Sequence, residues 1–249
     1  MRIIVNADDL GISESVNEAI FQGMQRKVIT SATMLANGAA LKAAARELHR
    51  FPDCSFGIHL NLTEFEPLCS ESFRDLKPIL NEKNCFNGNS IREVHISLFM
   101  LRAIFREWCC QIERLIQLGI QPTHFDGHHH VQTIPQLIPV LVALRRRYKI
   151  NKIRKSRNLY DLPERPARSL LAKKSVFNLA LRTVGFRTTR IFTDLQTFVG
   201  LCGVRPPAPT AELMTHPGSL PRDREAVLLD EHWPSKLSYD VALISYKNL

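Results

Sequence analysis

What most constrains the fold of this chain is an alternation of two hydrophobic periods that starts at its first residues. Short apolar runs of strand length are followed by longer segments whose apolar residues recur three and four apart. "RIIVNA" (2–7) reads as a strand that ends in the turn "DDLG". A helix follows, with Ser15 and Glu18 spaced as a capping box ahead of "AIFQGMQ". Next come a strand in "VITSATMLAN" (28–37), a helix in "ALKAAARELHRF" (40–51) and a strand in "SFGIHLNLT" (55–63). Residues 91–119 form a long amphipathic helix with one break, stopped at Gly119. "PTHFDG" (122–127) is the fourth strand, 134–148 a helix, "KIRKSR" (152–157) a fifth strand and "AELMTHPGS" (211–219) a late one. Such an order predicts an α/β fold of parallel strands with helical crossovers, either a barrel or an open doubly wound sheet.

The third strand favours the barrel. Phe56, Ile58, Leu60 and Leu62 alternate with Gly57, His59, Asn61 and Thr63. A strand covered by helices on both faces should be apolar throughout, whereas a polar face suits the inside of a barrel near its mouth. At 249 residues and 45% hydrophobic, the chain fits one domain spanning 1–249. Residues 65–90 and 160–210 read as irregular or lid-like excursions from it.

Composition narrows the setting. No apolar run is long enough to span a bilayer, and "MRIIVNADD" is not a secretory signal. The six cysteines show no paired spacing, which predicts free thiols and a cytoplasmic, reducing location. The net charge of +9 is concentrated between Arg145 and Arg190, where fifteen Lys or Arg face only Asp161 and Glu164. Within it, 168–186 spaces Leu170, Leu171, Phe177, Leu181 and Val184 at helical intervals around Lys173, Lys174 and Arg182. Two readings stand: a barrel helix packed inward, or a peripheral contact with an anionic membrane at the inner face.

In parallel α/β folds, functional groups collect where strands end. Asp8 and Asp9 end the first strand, His59 lies near the end of the third, Asp126 and His128 end the fourth, and His216 ends the late strand. Neighbouring residues alternate along a strand, so Asp8 and Asp9 cannot both face inward without the turn at Leu10-Gly11. Asp9, His59 and His128 would make a two-histidine, one-carboxylate site with coordination positions left open. That donor set suits Zn²⁺ and equally Fe²⁺, Co²⁺, Ni²⁺ or Mn²⁺.

"VNADDLGIS" (5–13), "GIHLNLTE" (57–64), "PTHFDGHHHVQ" (122–132) and "MTHPG" (214–218) resemble the motifs of the YdjC-like carbohydrate deacetylases, in the same order over nearly the whole chain. That family includes chitooligosaccharide deacetylases and hopanoid-associated members; 160–210 matches it poorly. The resemblance implies a deformed (β/α) barrel and removal of an N-acetyl group from an amino sugar, free or lipid-linked. It implies one divalent metal ion, Mg²⁺ or Zn²⁺ first and Co²⁺, Ni²⁺ or Mn²⁺ next, on Asp9, His59 and His128. Asp8 matches the general base and His216 the acid that protonates the leaving amine. Arg154 falls where a basic residue orients Asp8 or substrate. Asp126 and Asn61 are assigned to substrate binding or to support of the ligands.

Two other functions fit parts of the pattern. A metal-dependent phosphoester hydrolase would use the basic residues on phosphate, but three ligands support one metal where many phosphatases clamp two. A basic nucleic-acid binder lacks any recognition motif or aromatic platform, so no nucleic acid is expected. An N-acetylated sugar is the expected partner, with a homodimer as a further option.

Overall fold

The computed structural model describes residues 1–88, 90–218, 228–229 and 233–249. Its strands are β1 (Arg2–Leu10), β2 (Ser31–Met34), β3 (Ser55–Leu60), β4 (Phe125–Gly127), β5 (Ile191–Asp194), β6 (Thr210–Thr215) and β7 (Ala242–Leu243). The helices are α1 (Glu14–Gln25), α2 (Leu41–Glu47), the short α3 (Phe73–Leu76), α4 (Leu98–Gln117), α5 (Ile138–Tyr148), α6 (Arg168–Thr183) and α7 (Leu195–Cys202). The strands form one sheet in the order β4-β3-β2-β1-β6-β5, with β7 on β1. Every pairing is parallel, because each crossover returns through helix or loop to the same edge direction.

The two ends of this order meet through 151–158, which contains the stretch expected as the fifth strand (152–157). The Arg154 N–H donates to the Phe125 carbonyl at 2.8 Å, and the Phe125 N–H donates to that of Lys152 at 2.9 Å. On its other side, the Ile153 N–H donates to Arg187 at 3.1 Å and the Asn158 N–H to Phe192 at 3.2 Å. These are single bridges and not a ladder, so the sheet curls into a deformed (β/α) barrel.

Period-two alternation sorts the residues. Ile58 and Leu60 of β3 and Val5 and Ala7 of β1 join the large core between sheet and helices. The interior is polar and stacked in layers. Tyr246 and Ile4 form a separate apolar plug at one end, and the His124 ring stacks on Tyr246 at 3.6 Å. Gly57 leaves room for that imidazole, since a Cβ there would lie 2.6 Å from it. Above come Asn6 and Arg154, and at the strand ends Asp8, His59 and Asp126, all buried.

Several boundaries differ from the sequence reading. Helix α1 is capped by Ser13, whose side chain accepts the Val16 N–H, and not by Ser15. The break expected in 91–119 falls before Ser97, which caps α4. Gly119 does stop that helix: at φ 80° it lets the Ile120 N–H return to the Leu115 carbonyl. Residues 160–210, expected to be irregular, contain α6, β5 and α7. β5 has only four residues, too few to show a period in sequence.

No helix among the described residues is long and apolar enough to cross a membrane. α6 buries Phe177 and Leu181 against the barrel, as an ordinary barrel helix does. It also leaves Leu170, Val176 and Leu179 exposed.

Candidate metal centre and active site

β1 carries the first two acids, and it does not end where the sequence suggested. The strand continues through Leu10, and its register with β2 shifts between Ala7 and Leu10. Asp9 sits at the irregularity with φ 65°. A bulge of this kind inserts a residue and re-aims a side chain, and aspartate tolerates the left-handed region better than most residues. Both carboxylates therefore reach the cavity through the bulge, not through a turn at Leu10-Gly11.

Three donor atoms then converge. Asp9 Oδ1 lies 3.2 Å from His59 Nε2 and 2.8 Å from His128 Nδ1. The two nitrogens are 3.3 Å apart. Metal bonds of about 2.0–2.2 Å place neighbouring ligand atoms about 2.9–3.5 Å apart at octahedral or tetrahedral angles, so this triangle has the size of a coordination face. Asp9 Oδ1 is buried and lacks a hydrogen bond of acceptable geometry among the described residues, an expensive state unless a cation completes it. The residues fit a divalent cation.

His59 is held from behind. Its Nδ1 lies 2.7 Å from Asp126 Oδ1, which fixes the tautomer that presents Nε2 to the triangle. Burial alone would lower the His59 pKa, but Asp126 and Asp9 raise it well above the ordinary value. Burial would raise the pKa of Asp9, and its two imidazole neighbours instead hold it far down.

Arg154 is the hub of the layer beneath. Its guanidinium holds Asp8 with two bonds of 2.6 and 2.7 Å, reaches Asp126 Oδ2 at 2.9 Å and donates to Glu212 Oε1 at 2.7 Å. It also lies over the Phe192 ring at 4.8 Å. Burial pushes the Asp8 pKa up, but Arg154 outweighs it and keeps the carboxylate ionised. One guanidinium cannot neutralise three buried carboxylates, and burial pushes the Glu212 carboxyl up to about 7. Asp8, Asp9 and Asp126 against Arg154 leave an excess of negative charge of the kind a divalent cation offsets.

The other expected residues are spread around this centre. His216 follows β6 with Nε2 3.8 Å from Asp8 Oδ2, and its side chain is 39% exposed, so it stands at the open side. Asn61 does not line the cavity with free groups. Its Oδ1 accepts the N–H groups of Thr63 and Glu64, and its Nδ2 donates to the Glu64 carbonyl. Its amide is therefore used in shaping the loop after β3. His124 is buried between Asn6 and Tyr246, and burial with the nearby Arg154 keeps it neutral. His129 and His130 have φ 48° and 57°, a kink that turns His128 inward and leaves His129 half exposed. His130 packs edge-on against Phe192.

Two residues escaped sequence reasoning. Glu212 lies four before His216 in β6, on the same face by period two, and that spacing could have found it. Glu64 stands inside the "GIHLNLTE" motif, yet no periodicity points from it to His128.

The YdjC-like protein family model matches residues 2–239. The chain belongs to the YdjC-like family. A carbohydrate deacetylase of Geobacillus stearothermophilus is 35% identical over 218 residues, covering 86% of this YdjC-like chain and 78% of that protein. One from Brevibacillus brevis is 28% identical over 251 residues, covering 100% and 93%. A chitooligosaccharide deacetylase of Klebsiella pneumoniae subsp. pneumoniae is 35% identical over 145 residues, 58% of this chain and 55% of that one. In fold, the chain matches a crystal structure of a candidate cellobiose-phosphate cleavage protein from Enterococcus faecalis V583. The TM-score is 0.77, with 24% identity and 99% and 98% of the two chains covered.

Proposed function

We propose that this YdjC-like chain is a divalent-cation-dependent carbohydrate deacetylase that hydrolyses the N-acetyl group of an amino sugar. The observation that carries this reading is the triangle of Asp9 Oδ1, His59 Nε2 and His128 Nδ1, at 2.8–3.3 Å, beside an ionised Asp8. The relatives named as carbohydrate deacetylases supply the reaction class and disfavour phosphoester hydrolysis. Two imidazoles and one carboxylate suit Zn²⁺ better than Mg²⁺, which prefers oxygen ligands.

A cation held by these three residues supplies Lewis acidity, lowering the pKa of water towards about 7 and polarising a carbonyl. The chain's own groups do the rest. Arg154 keeps Asp8 anionic, so Asp8 can accept a proton from the attacking water. His216, on the open side of Asp8, is placed to deliver a proton to the amine that leaves. Asp126 keeps the His59 imidazole oriented throughout.

Acetate release from N-acetylated chitooligosaccharides tests the proposal. Chelation should abolish it and Zn²⁺ should restore it. Asp8→Asn should still bind the cation but lose about 10²–10⁴-fold in kcat. Undiminished turnover in Asp8→Asn, or after complete chelation, would overturn the assignment.

The exposed Leu170, Val176 and Leu179 on α6, with Lys173 and Arg182 also exposed beside them, support a second reading of that helix. It meets an anionic membrane when the sugar is carried on a lipid.

A further inference from the structure

The two histidines of the triangle are supported unequally. Asp126 backs His59 from a fully buried position at 2.7 Å. His128 faces the triangle through Nδ1, so its remaining proton must sit on Nε2, and that nitrogen is buried with no hydrogen-bond partner among the described residues. A histidine that binds through one nitrogen is normally fixed by an acceptor at the other. The carboxylate beside this one is Glu64, whose Oε2 is 3.4 Å from His128 Nε2.

Glu64 is also held in place from below. Gln111 grips the loop from α4: its Oε1 accepts the Asn61 N–H at 3.0 Å, and its Nε2 donates to the Asn61 carbonyl at 2.8 Å. Asn61 in turn binds both the N–H and the carbonyl of Glu64, at 3.2 and 2.6 Å. The Glu64 backbone is thus anchored at both ends, while its carboxylate is 43% exposed and free to turn the last few tenths of an ångström.

We propose that Glu64 is a positioning residue for His128, accepting the Nε2 proton and so keeping Nδ1 bare towards Asp9 and His59. It does for His128 what Asp126 does for His59, from the solvent side of the site. The proposal rests on the cation reading above. It also gives Asn61 and Gln111 a purpose: they set the height of the Glu64 carboxylate. His129, whose Nε2 lies 3.9 Å from Glu64 Oε1, is a neighbour and not a participant.

The test is calorimetric titration of Zn²⁺ into chelated protein, for the unaltered chain, Glu64→Ala, Glu64→Gln and His129→Ala. Nitrogen NMR of the imidazoles in the metal-free proteins accompanies it. One ion per chain is expected throughout. Glu64→Ala should bind about 10–100-fold more weakly, with mixed His128 tautomers and unchanged thermal melting of the metal-free form. Glu64→Gln, which keeps an acceptor, should recover most of the affinity and the Nε2–H tautomer. His129→Ala should match the unaltered chain. If Glu64→Ala binds as tightly as the unaltered chain, the positioning role is lost while the cation reading survives. Two ions per chain, with the second lost in His129→Ala, would instead make Glu64, His128 and His129 a second cation site. Absence of Zn²⁺ uptake by the unaltered chain would remove both readings.

Discussion

At the strand ends, Arg154 meets Asp8, Asp126 and Glu212 at 2.6–2.9 Å, with every one of these side chains almost wholly out of solvent. On α6, Lys173 and Arg182 stand exposed among apolar residues. The sequence marks both regions by their charge, yet they differ in what each charge can do. A buried ion must have a fixed partner or lose its charge, so its position and protonation are set by the fold. An exposed ion is screened within about 8–10 Å and contributes mainly a diffuse field. The first arrangement can run proton chemistry; the second can only attract or repel a surface.

The comparison breaks most sharply at Arg154. Arg154→Met keeps the volume but strands carboxylates in the interior, and should cost roughly 3–5 kcal/mol in urea unfolding at neutral pH. A loss below about 1 kcal/mol would mean that the buried carboxylates are neutral without it. Asp126→Ala comes next. It should reduce Zn²⁺ affinity by about 10–100-fold, read by competition with a chromogenic chelator, because His59 loses its orienting acceptor.

Glu212 sharpens the same point through pH. Its carboxyl in the folded chain is pushed up to about 7 by burial, above its ordinary 4.5. A group with a raised folded pKa stabilises fully below its ordinary pKa, and that contribution is lost as pH rises through the folded one. Stability should therefore fall between about 4.5 and 7 through this group, and Glu212→Gln should flatten that slope in chemical denaturation. An unchanged slope would show that Arg154 keeps Glu212 ionised. The smallest effect belongs to α6. Lys173→Glu with Arg182→Glu should weaken flotation with anionic vesicles by about 1 kcal/mol per charge. Stability should move by less than about 0.5 kcal/mol. If the unaltered chain does not float with such vesicles at low salt, the membrane reading of α6 ends.

Much of the site is legible in sequence because period two and strand ends are local properties. His59 follows from alternation, Asp8, Asp9, Asp126, His128 and His216 from their places at strand ends, and the motif resemblance adds the roles expected of them. Other parts are not local. The bulge that turns Asp9 inward depends on how β1 registers against β2, and no single residue announces it. The spacing of Ser15 and Glu18 points to Ser15 as the cap, whereas the chain turns into α1 at Ser13, whose side chain accepts the Val16 N–H. Glu64 and Gln111 come from different elements, and only the loop after β3 joins them.

By itself the sequence determined the α/β alternation, the polar inner face of β3 and the identity of the side chains at the strand ends, because backbone periodicity needs no distant partner. Only the tertiary structure decided that Asp9, His59 and His128 form a triangle, and that one guanidinium serves three carboxylates. Those facts depend on curvature and register, through which residues more than a hundred positions apart come within hydrogen-bonding distance.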